Sequence, residues 1–443
     1  MKRRLTNGQI IAVGFFAIIL LGALLLCLPF ATRSGESASF FDALFTATSA
    51  TCVTGLVVQD TALYWSGFGQ AVILVLIQIG GMGFITISTL LMMLLRRRIG
   101  IRNRERMVES ISTADSGSIL PLTKKIFIGT AAVELTGACL LAIRFIPQFG
   151  AKGIWYSLFH AVSGFCNAGF DLMGPVSGDY SSVTAYAGDP LVVFTLSGLI
   201  TIGGLGYWVW EDLWRNRWHV RRWRLHTKLV ITVSLVLTVG GTLLFWLLER
   251  DNLRDFSPTE QFLRALFDAI TPRTAGFNTS ETATLTEGSK LLTVLFMFVG
   301  GSSGSTAGGI KTTTLLVLLL YTVTEITRSR DTYIFRRRLD DSTLRRAVSV
   351  SITNLSLAVL ATLLLCAMLP TAALPDVMLE AFSAIGTVGM STGLTRELNP
   401  VGQSVLMFLM YCGRVGSLSF SVALLERRSR PPVTHPTETI IVG

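Results

Sequence analysis

Charge is what this chain has least of. Asp, Glu, Lys and Arg together make up 15% of its 443 residues, against 50% hydrophobic residues. Histidine is rarer still, at 4, and the 6 cysteines fall into no paired Cys/His motif, so the ligand spacing of a structural or catalytic metal site is missing. Cys27, Cys52, Cys139, Cys166, Cys366 and Cys412 lie mostly in apolar runs and read there as small hydrophobes. Acid–base pairs are equally scarce. His160, Glu134 and Asp171 are the available candidates, yet no pair recurs at helical spacing on facing segments, and a membrane-embedded enzyme is the weakest reading.

What is present is apolar length. Eight runs of about 20 apolar residues, enough to cross a roughly 30 Å hydrocarbon layer, lie at Ile10–Phe30, Gln70–Leu95, Ile126–Ile146, Leu191–Trp210, Leu229–Leu248, Leu291–Tyr321, Val350–Leu369 and Val405–Leu425. The first is too long for a signal peptide and lacks a cleavage motif. The net charge of +10 suggests nucleic acid, but its placement argues against that partner. Most Lys and Arg sit in alternate connections: Lys2–Arg4, Arg96–Lys125, Arg215–Lys228, Arg328–Arg346 and Arg427–Arg430. The intervening connections carry acids such as Glu36, Asp60, Asp179, Glu281 and Asp376. Short basic loops stay cytoplasmic, which puts both termini inside a multi-pass plasma-membrane protein.

Four stretches repeat one plan. Between successive runs lies a short amphipathic element (Ala38–Ala50, Ile154–Phe165, Gln261–Thr271 and Val377–Ile385), too brief to span, followed by a small-residue turn. The turns are Val53-Thr54-Gly55, Asn167-Ala168-Gly169, Thr274-Ala275-Gly276 and Thr387-Val388-Gly389. The reading is an all-α polytopic membrane protein of four pseudo-equivalent helix–pore loop–helix repeats, with eight spans and four re-entrant helices around a central pore. The quarters are 1–110, 111–225, 226–340 and 341–443. Non-helical backbone at membrane depth survives only where it lines a watery cavity. A central cation can satisfy the carbonyls of four such turns, and glycine supplies the backbone conformations that aim them inward. The C-terminal ends of four short helices add negative partial charge on the axis.

The residues Thr51-Cys-Val-Thr-Gly-Leu56, Phe165-Cys-Asn-Ala-Gly-Phe-Asp171, Thr271-Pro-Arg-Thr-Ala-Gly-Phe-Asn278 and Gly386-Thr-Val-Gly-Met-Ser-Thr392 resemble the Trk/Ktr/HKT superfamily of potassium transport proteins. The likeness runs from the first span to Leu425 and is greatest to the Ktr-type membrane subunit, since the extra N-terminal helix pair of Trk-type relatives has no counterpart here. It implies a selectivity filter built from the four turns, with K+ at the carbonyls of Thr54, Gly55, Ala168, Gly169, Ala275, Gly276, Val388 and Gly389. Glycine in all four quarters resembles potassium-selective members, and the role of Na+ stays open. The resemblance further implies a homodimer, no covalent cofactor, and a cytoplasmic ring of RCK-type subunits that bring in nucleotide. The loops Arg96–Arg106 and Arg328–Arg346 and the tail from Arg427 are the docking surface available to that ring. Lipid headgroups compete for the same charges.

The sixth span alone is visibly broken, at Gly300-Gly301-Ser302-Ser303-Gly304-Ser305-Thr306-Ala307-Gly308-Gly309. Each of its five glycines costs about 1 kcal/mol relative to alanine in a helix. A phosphate-binding loop is excluded, because Ile310 stands where the lysine must follow and no strand precedes. The family likeness matches the segment to a gate loop obstructing the cytoplasmic side of the pore. Lys311 after it, and Arg414 within the eighth span, are ionisable residues in apolar settings. The likeness makes Arg414 an electrostatic barrier below the filter; the alternative is an interhelical ion pair, with Glu134 a conceivable partner. A different transport class, an alternating-access K+ or Na+ symporter with broken helices, also accommodates the interruption.

Overall fold

The computed structural model describes residues 7–83, 119–329, 331–335 and 337–416. The predicted basic segments Lys2–Arg4, Arg96–Arg106 and Arg427–Arg430, and the far ends of the second and eighth apolar runs, lie outside the described residues.

Each quarter repeats the same order. The first holds α1 (Asn7–Leu26), α2 (Phe40–Cys52) and α3 (Gly67–Met82). The second holds α4 (Ile119–Phe149), α5 (Ala151–Cys166), α6 (Pro190–Leu205) and α7 (Tyr207–Asn216). In the third are α8 (Leu225–Leu248), α9 (Pro258–Ile270), α10 (Glu287–Phe298) and α11 (Thr312–Ile326). The fourth has α12 (Asp341–Met368), α13 (Leu374–Gly386) and α14 (Pro400–Val415). The sheet structure among the described residues is one short ribbon, Tyr333–Ile334 against Arg337–Arg338, inside the third basic loop.

The leading helix of each quarter is the long apolar one. Gln9–Leu26, Thr123–Phe149, Leu225–Leu248 and Ser342–Met368 are long and apolar enough to cross a bilayer, and only 28–33% of each is buried in protein. Their outward leucines, such as Leu21, Leu235 and Leu363, are therefore lipid-facing. The short helices α2, α5, α9 and α13 do the opposite: their last two turns are almost wholly buried. The return helices all start on a side-chain cap, with Ser66, Asp189, Thr286 and Asn399 accepting from the first-turn amides of α3, α6, α10 and α14.

One expectation is corrected. The sixth span is not alone in being broken, because every described return helix stops short. At 16, 16, 12 and 16 residues and about 1.5 Å per residue, none reaches across the hydrocarbon. Gly83, Gly206 and Gly416 end α3, α6 and α14 with φ of +81°, +88° and +93°, and α7 leaves α6 at 95°. The breaks share a text: Gly80-Gly-Met-Gly83, Gly203-Gly-Leu-Gly206, Gly300-Gly-Ser-Ser303 and Gly413-Arg-Val-Gly416. The cause is close approach. A Cβ at Gly80, Gly203 or Gly413 would collide with the carbonyl oxygen of Thr51, Phe165 or Ile385 respectively, each lying four residues before the glycine of its turn.

Candidate ion pathway

The four short helices α2, α5, α9 and α13 end where the ring of glycine turns begins. In α2, α5 and α13 the residues after the helix, Val53, Asn167 and Thr387, take left-handed backbone, and their own amide and the next one bond back to carbonyls of the last turn. This is a Schellman termination. The third quarter differs because Pro272 has no N–H to give. There α9 stops at Ile270, and Ala275 N reaches Thr271 O at 2.9 Å. Even so, Thr274 reaches the same conformation, so all four turns have positive φ two residues before the glycine (57°, 58°, 71° and 50°) and again at it (95°, 70°, 78° and 97°). Val53, Thr274 and Thr387 are β-branched, and each such residue stores about 1–3 kcal/mol of strain. Surrounding packing must hold them there.

The glycines close a ring in chain order. A Cβ on Gly55 would stand 2.5 Å from Ala168 O, on Gly169 2.9 Å from Ala275 O, and on Gly276 2.5 Å from Val388 O. On Gly389 it would overlap Thr54 O and come within 2.9 Å of Gly55 Cα. Each glycine thus faces the carbonyl that precedes the next quarter's glycine. The predicted residues Thr54, Ala168, Ala275 and Val388 are brought together with Gly55, Gly169, Gly276 and Gly389 around one line.

Two sets of braces, unrecognised in the sequence, hold this ring. Ser49 Oγ and Ser383 Oγ accept from the amides of Gly55 (3.1 Å) and Gly389 (3.0 Å), while Ser163 Oγ and Thr271 Oγ1 donate to the carbonyls of Phe170 (2.6 Å) and Phe277 (2.5 Å). The signal was a hydroxyl at a nearly constant distance before each glycine. The second set secures the strand leaving the ring. Leu172 N donates to His160 Nε2 (3.3 Å), Ser280 Oγ to Asp268 Oδ2 (3.4 Å), and Thr392 N to Glu380 Oε1 (3.0 Å). His160 Nδ1 lies 2.7 Å from Tyr156 O, so the ring is neutral with its proton on Nδ1. Glu380 also takes Ser391 Oγ and Thr395 Oγ1, both at 2.5 Å. Replacing it by alanine strands several buried donors at about 1–3 kcal/mol each. Glu380→Ala should therefore lower the thermal midpoint in detergent by several degrees or more, whereas Glu380→Gln, which keeps an acceptor oxygen, should lose less. Equal midpoints for all three proteins would remove the brace.

On one side of the ring a cavity touches all four glycines and is walled by Asp60, Asp171, Tyr180, Asn278 and Arg396. Asp60 is occupied structurally, accepting from Ala62 N, Leu63 N and Tyr180 N at 2.9–3.0 Å. Arg396 lies over the Tyr180 ring at 3.9 Å. Desolvation pushes the Asp171 carboxyl up to about 7, and the nearby Asp60 carboxylate adds to the rise.

On the other side lies Gly300–Gly309. Its amides and carbonyls are stitched to the end of α6 and the start of α7: Ser302 N to Gly204 O (2.9 Å), Tyr207 N to Gly304 O (3.0 Å), and Ser302 Oγ to Leu205 O (2.5 Å). Thr306 Oγ1 reaches Phe165 O at 3.2 Å, and a Cβ on Gly308 would strike Thr387. The loop consequently crosses against the C-terminal ends of two of the short helices, α5 and α13. Lys311 Nζ folds back onto Ala307 O (2.7 Å) and Gly308 O (3.3 Å). Arg414 donates through Nη1 to Thr306 O, and through Nη2 to Gly80 O and Gly81 O. One guanidinium therefore ties the loop to two further quarters.

The chain has known relatives. Residues 4–429 match the family described as TrkH, cation transport protein. The chain belongs to the TrkH family. Its relatives include the potassium/sodium uptake protein NtpJ of Enterococcus hirae, 39% identical over 100% of this chain and 98% of that one. The Ktr system potassium uptake protein B of Bacillus subtilis is 38% identical over 99% and 97%. The crystal structure of the potassium transporter TrkH from Vibrio parahaemolyticus shares the fold, with a TM-score of 0.74 over 96% of this chain and 86% of that one at 18% identity.

As a TrkH-family protein the chain is a membrane cation transporter, not an enzyme. The residues weighed for acid–base chemistry have other partners: both His160 nitrogens are engaged, Asp171 accepts from Met173 N at 2.9 Å, and Glu134 accepts from Gln78 Nε2 at 3.3 Å. Among the described residues the bonded partners of Arg414 are the carbonyls of Thr306, Gly80 and Gly81, and Glu134 is not one of them. Within the family fold, Arg414 occupies the place that Gly81, Gly204 and Gly301 take in the other breaks.

Proposed function

We propose that this TrkH-family chain conducts potassium through a filter formed by its four glycine turns, with K+ at the carbonyls of Thr54, Gly55, Ala168, Gly169, Ala275, Gly276, Val388 and Gly389. The observation that carries the reading is the ring itself, in which each glycine faces the preceding-residue carbonyl of the next quarter. Such rings replace a hydration shell, and the pore-helix C-termini favour a cation there. Gly300–Gly309, pinned by Lys311 and Arg414, is the gate. The ion passes the Arg414 guanidinium and a loop bonded to the neighbouring quarters, which disfavours passage until the loop moves.

The remaining parts of the reading rest on charge and kinship. The basic connections put both termini and the gate on the cytoplasmic side. A homodimer served by nucleotide-binding RCK-type subunits fits the short basic loops and a relative named for a Ktr system. Sodium as a second ion or activator accords with the relative named for potassium and sodium uptake. An alternating-access reading loses its motive, because the interruption of the sixth span has equivalents in every quarter. The test is flux into liposomes with K+, Rb+, Na+ and Li+ compared side by side. K+ and Rb+ should exceed Na+ and Li+; equal rates for all four would defeat the filter.

A further inference from the structure

Helix α7 leaves α6 at 95°, and its two ends are unlike. Tyr207 and Val209 are buried. Trp210 packs on Phe165 of the second pore helix, with ring centroids 5.5 Å apart, and donates to Ile202 O at 2.9 Å. Towards and beyond the C-terminal end of α7, Trp214 and Trp218 are 89% and 92% exposed, and Arg215, Arg217, Arg221 and Arg222 are exposed beside them. The elbow is rigidly built. Buried Asp212 accepts from Asn216 Nδ2 (2.7 Å) and from Arg224 N (2.8 Å), and Trp223 Nε1 donates to Arg217 O (3.0 Å).

Two bare indoles among four guanidiniums, at the end of an apolar segment, match the chemistry of the bilayer interface. Indole rings settle at headgroup depth. A helix lying across the span presents its basic residues to anionic lipid. The inner end of the same helix is fastened to the gate loop. Tyr207 N donates to Gly304 O, Ser302 Oγ to Leu205 O, and a Cβ on Gly206 would meet Ser302 Oγ and Ser303 O, both at 2.8 Å. The loop and the elbow must therefore move together.

We propose that α7 and the turn to Arg222 bind anionic phospholipid headgroups, and that this contact holds the gate loop in its docked position. Lipid binding by the elbow stands independently; its effect on conduction rests on the proposed role of Gly300–Gly309.

The test uses the purified full chain in vesicles of phosphatidylcholine alone or mixed with phosphatidylglycerol. Brominated phosphatidylglycerol should quench tryptophan emission, and the Trp214→Phe, Trp218→Phe double variant should lose the most quenchable part. Changing Arg215, Arg217, Arg221 and Arg222 together to Gln should raise the phosphatidylglycerol needed for half-maximal quenching on the order of tenfold. Rb+ flux of the native protein should be several-fold lower with phosphatidylglycerol, and that of the arginine variant the same in both vesicles. Identical quenching curves for native and arginine variant overturn the lipid site, and so does unchanged quenching accompanied by lost binding of a nucleotide-binding subunit. A shifted quenching curve with no lipid effect on flux overturns the coupling to the gate. Quenching requires no transport, so a failure of the potassium-pore reading shows separately, as absent flux with intact quenching.

Discussion

Gly55→Ser lowers the K+/Na+ flux ratio by about tenfold or more, the equivalent of ~1.4 kcal/mol of discrimination. The serine Cβ would start 2.5 Å from Ala168 O and 3.1 Å from Gly169 Cα, on a residue with φ of +95°. Neither obstacle is a flexible side-chain tip, so backbone has to give. The ring must open between the first and second quarters, and a filter that separates ions differing by fractions of an ångström in radius tolerates little of that. Gly67→Ser is the control, because nothing lies within 4 Å of a Cβ at Gly67. The measurement is tracer flux of Rb+ and Na+ in liposomes for native protein and both variants. A native-like ratio in folded Gly55→Ser protein would show that discrimination lies elsewhere.

Arg414→Ala raises K+ flux. Its guanidinium supplies the bond to Thr306 O and those to Gly80 O and Gly81 O, and a hydrogen bond from a charged donor is worth about 2 kcal/mol. Losing the Thr306 tether alone increases the released-loop population on the order of thirtyfold, and the positive charge beneath the filter disappears with it. Arg414→Lys separates the two causes. It keeps the charge but has no planar fork to bridge three carbonyls. Flux that stays low in the lysine variant assigns the barrier to charge, and flux that rises as in alanine assigns it to the tether. Deleting Gly300–Gly309 should increase flux in either case. Unchanged flux in folded Arg414→Ala and in the loop deletion together would remove the gate.

Much of the architecture was legible because its signals are local. Eight apolar runs, the alternation of basic and acidic connections, and four glycine turns can each be read within about 20 residues. The pore-helix limits were nearly right, with Phe40–Cys52 where Ala38–Ala50 was expected and Leu374–Gly386 where Val377–Ile385 was expected. The left-handed caps let the chain wind one or two residues further than the small-residue signal suggested. The break at Gly300–Gly309 stood out because it is long. Its counterparts did not, since two or three glycines in an apolar run are ordinary in membrane helices.

Sequence alone determined that this is a helical polytopic membrane protein with four glycine turns, since hydrophobic length and backbone freedom are properties of neighbouring residues. Tertiary structure decided which carbonyl each glycine faces, that His160, Asp268 and Glu380 serve as braces, and that Arg414 grips Thr306 and Gly80 instead of Glu134. Those partners belong to elements as much as 334 positions apart. A buried hydroxyl, carboxylate or guanidinium must find some polar partner, but the sequence states only the need; the closing of four quarters on one axis supplies the partner.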